Sequence, residues 1–332
     1  MPTSRPLIVS LGDPAGIGPE IIGKAWQVLK AEGPVFAVCG DLDLLRHQGF
    51  AAQPVDDLGD AAANFQKAIP VLHSAVGTSV TPGKPSNEAA DAIIRWIREA
   101  TELCLGGKAS GLVTAPIAKS SLYSAGFKYP GHTEYLGALT QGTPYDGERG
   151  PVMMLAVKGL RTTLVTIHKP LAEVPAALSI DQIVHAGRVT AQALQRDFGL
   201  PRPRIAVAAL NPHAGENGTI GHEEVDIITP AVKCLQDCGI DAKGPFPADS
   251  LFTAAHRSNY DAAVCMYHDQ ALIPVKMLDF WGGVNVSLGL PIVRTSPDHG
   301  TGFDIAGMGK ARPDSMISAL RMAYEIAECR AR

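Results

Sequence analysis

The chain has 332 residues, 46% of them apolar and 19% charged, which is the composition of a globular protein with more than one hydrophobic core and makes two domains the expectation. A formal net charge of −4 offers no basic surface to a polyanion, so nucleic acid is not an expected partner. The apolar run near the N-terminus is too short for a signal-peptide core or a membrane span, and six scattered cysteines with no CxxC pair argue against a disulfide framework or thiolate zinc site. No membrane association is expected, and the cytoplasm is the expected location.

In chain order, residues 7–11 read as a short buried strand leading into GDPAGIGPE, with Pro19 suited to the first turn of a helix running to about Glu32. This is neither GxGxxG nor a P-loop; its glycines suit a tight turn, with a phosphate cradle as the alternative. Residues 35–39 and 69–72 read as further strands, with Asp41 as the N-cap of the helix between them. An amphipathic helix over 87–105 is stopped by Gly106 and Gly107, and 111–114 returns as a strand, which is a βαβ rhythm. TAPIAK then brings Thr114 and Lys119 to a strand end. In YPGHTEYLG, Thr133 suits a helix cap, with His132 facing outward from a start that favours anions.

Residues 152–157 and 162–167 form a predicted hairpin through Lys158-Gly159. Ser179 with Gln182 is a capping box for a helix that Gly199 stops. The run 204–210 ends at Asn211-Pro212-His213, a helix is expected over 223–238, with Cys234 and Cys238 as ordinary helix residues, and Asp249 opens a short helix. Residues 261–266 lead to His268. Stretch 266–313 concentrates His268, Lys276, Asn285, Arg294 and His299 among apolar strands and glycines, and polar groups at the C-terminal edge of a buried parallel strand are where such sheets bind ligands.

Three apolar strands therefore finish at His168, His213 and His268. A lone strand-end histidine is usually a hydrogen-bonded structural residue. Three repeats of one placement point to ligation of a divalent ion such as zinc, cobalt or manganese, with positions left open for a substrate.

GDPAGIGPE, the GHTE of residues 131–134, NPHAGE at 211–216, PADSLF around Asp249, YHDQ and GLPIVRTSPDHGT occur in one order over nearly the entire chain. Together they resemble the 4-hydroxythreonine-4-phosphate dehydrogenase family of pyridoxal phosphate biosynthesis, and the tail DHGTGFDIAGMGKARP is similar to the nicotinamide loop of the isocitrate and isopropylmalate dehydrogenases. One departure is Lys169, where the family usually has an apolar residue.

The resemblance implies an α/β, isocitrate/isopropylmalate dehydrogenase-like fold with two α/β/α domains flanking a cleft, 1–128 plus 296–332 and 129–295. It implies His168, His213 and His268 as ligands of one divalent metal (zinc, cobalt, manganese or magnesium), and His132, Thr133, Lys276, Asn285 and Arg294 as contacts to a small phosphorylated substrate. NAD or NADP would lie along Asp298, His299, Gly300, Gly302 and Asp304, which accounts for the missing GxGxxG. It also implies a homodimer with the active site shared across the interface. Lys276 suits charge neutralisation or proton transfer, and Asp249 either orients a ligand or caps a helix. A related phosphorylated four-carbon acid as substrate, and a zinc hydrolase without redox chemistry, are the competing readings.

Overall fold

The first apolar run forms strand β1 (Leu7–Ser10), buried along its whole length. It is followed by β2 (Phe36–Gly40), β3 (Ala52–Pro54), β4 (Ile69–His73), β5 (Leu112–Thr114), β6 (Val152–Val157), β7 (Leu160–Leu164), β8 (Arg204–Ala208), β9 (Asp241–Phe246), β10 (Ala262–Cys265), β11 (Val284–Leu288) and β12 (Arg294–Pro297). The computed structural model describes residues 5–124 and 126–332. The chain divides into two units, Met1–Pro144 with Leu290–Arg332, and Tyr145–Gly289.

The first unit holds strands in the order β3-β4-β2-β1-β5-β12, with parallel neighbours throughout. Strands buried on both faces need unbroken apolar runs, and Leu7, Ile8, Val9, Leu112 and Val113 supply them. The helix Ala90–Leu105 packs through Ile93, Trp96, Ile97 and Ala100, the three-and-four spacing of one helical face, and Trp96 Nε1 donates to Ser74 O at 2.8 Å. Segment 129–144 and residues 290–295, expected in the second domain, belong to this unit. The reason is local: the Tyr135 ring stacks edge-on against Phe127 at 5.0 Å, and Arg294 bonds to Thr114 on β5.

The second unit has the order β11-β6-β7-β10-β8-β9; β6 runs antiparallel to both β11 and β7, and β7, β10, β8 and β9 are parallel. The hairpin turn is Lys158-Gly159, with φ of 42° and 82°, both positive as a type I′ turn requires. Ser179 Oγ accepts from Gln182 N at 3.3 Å at the start of helix Ile180–Arg196, as the capping pattern predicts. The helix expected over 223–238 instead begins as a wide π turn, Glu224–Ile228, before Thr229–Asp237. Among the described residues no helix is long and apolar enough to cross a membrane.

Candidate active site

In the second unit β10 lies between β7 and β8, and all three are parallel, so their C-terminal ends share one sheet edge. His168 follows β7, His268 follows β10 and His213 follows β8. Three histidines widely separated in sequence are thereby brought to one edge by strand order alone. The rings of His168 and His268 come within 5.9 Å of each other, centroid to centroid. Among the described residues of one chain, no three His, Cys, Asp or Glu side chains gather closely enough to hold a metal ion. His168 and His213 are exposed and His268 is half-buried, its Nδ1 2.7 Å from Asp269 Oδ1.

His213 sits in an unusual backbone. Residues 213 to 217 all have positive φ, between 41° and 74°, one continuous left-handed turn in which only Gly215 is a glycine. Such conformations cost non-glycine residues about 1–2 kcal/mol each, so the surroundings must hold them. Glu224 anchors the segment leading into them. Buried beneath the turn, its Oε1 accepts from Leu210 N at 2.8 Å and Asn211 N at 2.7 Å, and its Oε2 accepts from Asn211 Nδ2 at 2.9 Å. Hydrogen bonding by Asn211 in turn holds the neighbouring Glu223 carboxyl below its ordinary range.

The same unit carries Lys276 near the end of helix His268–Leu278, its ammonium over the Phe280 ring at 5.3 Å. Asn285 lies on β11 with its Oδ1 buried and without a hydrogen-bond partner among the described residues. Asp249 is exposed in the first turn of Ala248–Leu251, where the cap is Pro247, so it caps no helix. A cavity of about 610 Å³ lined by Arg188, Gln192, Arg202 and Asp241 opens where β8 and β9 begin, the edge opposite the histidines.

In the first unit the residues 131–134 differ from expectation. The helix starts at His132, with Gly131 in extended conformation as its cap, so Thr133 lies inside the first turn and does not cap it. His132 does not face outward: its Nε2 is buried with no hydrogen-bond partner among the described residues, and burial, then the charges of Arg294 and Lys119, hold the ring well below its ordinary pKa. It is a neutral imidazole. Arg294 is 3% exposed and donates to Thr114 Oγ1 at 2.7 Å; burial lowers its pKa to about 10, so it remains charged at neutral pH.

Residues 298–309, also in the first unit, are fastened by backbone groups. Ile17 N donates to Thr301 O at 2.8 Å, Lys24 Nζ to Gly309 O at 2.8 Å, and Asp298 N to Ser315 Oγ at 3.1 Å. His299, Gly300 and Asp304 are exposed, Gly302 takes φ +54°, and a Cβ at Gly300 would meet nothing within 4 Å. The segment thus offers open, fixed main chain, which fits an extended cofactor. The glycine turn after β1 is packed instead. A Cβ on Gly18 would lie 2.5 Å from Leu11 O, and buried Asp13, its pKa raised by burial, closes the turn by accepting from Ala15 N at 3.0 Å. It is a tight turn and not a phosphate cradle.

Known proteins bear on these placements. Residues 33–323 match the family model of the pyridoxal phosphate biosynthetic protein PdxA. A 4-hydroxythreonine-4-phosphate dehydrogenase of Caulobacter vibrioides is 59% identical over 327 residues, 98% of either chain, and one of Erythrobacter litoralis is 54% identical over 334 residues, again 98% of either chain. The crystal structure of 4-hydroxythreonine-4-phosphate dehydrogenase from Klebsiella pneumoniae aligns with a TM-score of 0.86 at 40% identity, covering 98% of this chain and 99% of that one. The fold is the isocitrate/isopropylmalate dehydrogenase-like α/β fold, and the chain belongs to the PdxA family of pyridoxal phosphate biosynthetic proteins.

Proposed function

We propose that this chain oxidises 4-phosphohydroxy-L-threonine at its secondary hydroxyl, with NAD or NADP as acceptor, and that the β-keto acid formed loses carbon dioxide to give 3-amino-2-oxopropyl phosphate for pyridoxal 5'-phosphate synthesis. The observation that carries this reading is the single sheet edge at which three parallel strands present His168, His268 and His213. His168, His268 and His213 are the residues that would hold a divalent ion (zinc, cobalt, manganese or magnesium), which would supply a Lewis acid, and residues 298–309, including Asp298, would hold a nicotinamide, which would supply the hydride acceptor.

The chain's own residues do the rest. Arg294, charged and almost wholly desolvated, binds an anionic group of the substrate with its planar fork. His132, kept neutral, hydrogen-bonds without adding a second positive charge, and Thr133 beside it supplies a hydroxyl. Lys276 neutralises developing charge or moves a proton, Asn285 Oδ1 is an open acceptor for the substrate amine, and Asp249 is an accessible carboxylate on the same unit.

We further propose a cytoplasmic homodimer with its active sites shared between subunits. Ile273, Met277, Phe280 and Trp281 are 49% to 80% exposed on and just after the helix that also carries His268 and Lys276, an apolar face that a second copy would cover. That no three-ligand group closes within one chain among the described residues also supports completion by a partner.

The test is the appearance of reduced nicotinamide when phosphohydroxythreonine is added, with and without a chelator, alongside 4-phosphoerythronate and 4-phospho-D-threonate. Fastest reduction on phosphohydroxythreonine, abolished by the chelator, is expected. Reduction only on another four-carbon acid would move the substrate assignment, and phosphate release without reduction would favour a hydrolase.

A further inference from the structure

The three strand ends that carry the histidines are joined by side chains where the sheet ladder stops. Between β10 and β8 the register ends at Val264↔Val207. Beyond it, Met266 N donates to Gln270 Oε1 at 2.7 Å, and Gln270 Nε2 donates to Ala209 O at 2.6 Å. On the other side of β10, Thr166 donates to Met266 O twice, from its hydroxyl at 2.7 Å and from its amide at 3.2 Å. Thr166 and Gln270 are both buried.

Every member of this chain of bonds is close in sequence to a histidine. Thr166 precedes His168 by two residues, Met266 and Gln270 bracket His268, and Ala209 lies four before His213. The side-chain type is also specific. Buried main-chain N–H and C=O groups must find partners, and a primary amide offers one acceptor and one donor on a planar fork, so it stands in for the missing peptide rung between diverging strands. A carboxylate would face Ala209 O with no proton to give, and an aliphatic side chain would leave both main-chain groups unsatisfied.

We infer that Gln270 is a positioning residue: its amide fixes where each chain presents the strand ends bearing His268 and His213 and, through Met266 and Thr166, the end bearing His168, whichever subunit's site each imidazole enters. This rests on the reading of the three histidines as metal ligands. Ligand geometry tolerates only small errors, and supporting groups around metal sites typically change affinity by about 10- to 100-fold when lost.

The experiment is a titration of metal-free, full-length protein with cobalt(II) alone, following the ligand-field absorption. Gln270→Met removes both bonds, and Gln270→Asn keeps an amide too short to span them. Leu235→Ala opens a cavity in the same unit and serves as a control for lost stability. Both Gln270 variants are expected to bind cobalt about 10- to 100-fold more weakly, with a shifted absorption band, while Leu235→Ala melts earlier yet binds as the wild type does. If Gln270→Met does not fold, Gln270→Asn decides. Wild-type affinity and spectrum in a Gln270 variant, with His268→Ala unable to bind, would overturn the positioning role and leave the ligand assignment standing. An equal loss in Leu235→Ala would reduce it to general stability. A wild-type protein that takes up no cobalt would instead remove the metal reading itself.

Discussion

Arg294 gains more from an anion than an exposed arginine would, because its charge is kept almost out of water and screening is weak there. Arg294→Lys keeps the charge but loses the flat pair of donors. At about 1.5–3 kcal/mol for a hydrogen bond to a charged group, kcat/KM for the phosphorylated substrate is expected to drop about 10- to 100-fold. Initial rates at low substrate check this, and unchanged efficiency removes Arg294 from the site. His132 makes a separate prediction in pH. Its folded pKa lies well below the ordinary 6.5, chiefly through burial and then through Arg294 and Lys119. As pH falls below that value the unfolded chain takes up a proton that the folded chain refuses, so folding stability falls, by at most about 1.4 kcal/mol per pH unit, until the folded pKa is reached; above 6.5 the contribution is constant. Urea midpoints between about pH 7.5 and about pH 5.5 should therefore fall further for the wild type than for His132→Asn. Parallel falls would show that the ring is not held neutral. The sequence singles out both residues by motif, but not their burial, which for Arg294 depends on β12 lying against β5 across 180 residues of chain.

The left-handed turn at residues 213–217 carries His213 at the histidine edge. Gly215 takes φ +74°, and a Cβ there would lie 2.6 Å from Glu224 Oε2, the carboxylate that anchors the segment leading into the turn. Gly49 has a similar φ, +83°, with nothing within 4 Å. Comparing Gly215→Ala with Gly49→Ala thus separates the clash from the backbone cost. Both should lose about 1–2 kcal/mol for the conformation, and Gly215→Ala should lose more, together with metal affinity; equal urea midpoints and equal cobalt binding would show that Glu224 yields freely. NPHAGENG signals a loop, yet five successive left-handed residues are not readable from it, because Asn217 and His213 tolerate that conformation singly while Ala214 and Glu216 do not favour it. Elements whose side chains carry the pattern were legible: the Lys158-Gly159 hairpin, the Ser179 cap and the apolar runs of β1, β2 and β10. Strands β3, with sequence AQP, and β9, with DAKGPF, were not. Each lies at the edge of its unit's sheet, paired on one side, and is held there by main-chain bonds to β4 or β8 with no apolar run to announce it. Gln270 and Glu224 escape for a related reason, since a polar residue beside a histidine motif reads as solvated until the strand ends around it are in place.

At the scale of the whole molecule, strand order brings three distant histidines to one edge, and the proposed dimer would let a second subunit contribute ligands to a site. The two ideas together make a prediction that neither makes alone. Each of His168→Ala, His213→Ala and His268→Ala should fold cooperatively, lose bound metal and be inactive. If a site takes two imidazoles from one subunit and the third from its partner, a mixed dimer of two dead variants has one of two outcomes. Where the two lost histidines belong to different subunits of a site, one site lacks both and the other is intact. Where they belong to the same subunit of a site, each site lacks one and both are dead. Of the three pairwise mixtures, two should therefore regain activity and one should stay silent, and the silent pair identifies the two histidines that share a chain. With free subunit exchange, half of the dimers are mixed and each holds one good site, so recovery should approach about a quarter of wild-type activity per subunit. Native mass spectrometry confirms the exchange. Three silent mixtures, with exchange complete, would mean that every ligand comes from one chain, and the shared site would have to be abandoned while the metal assignment stood.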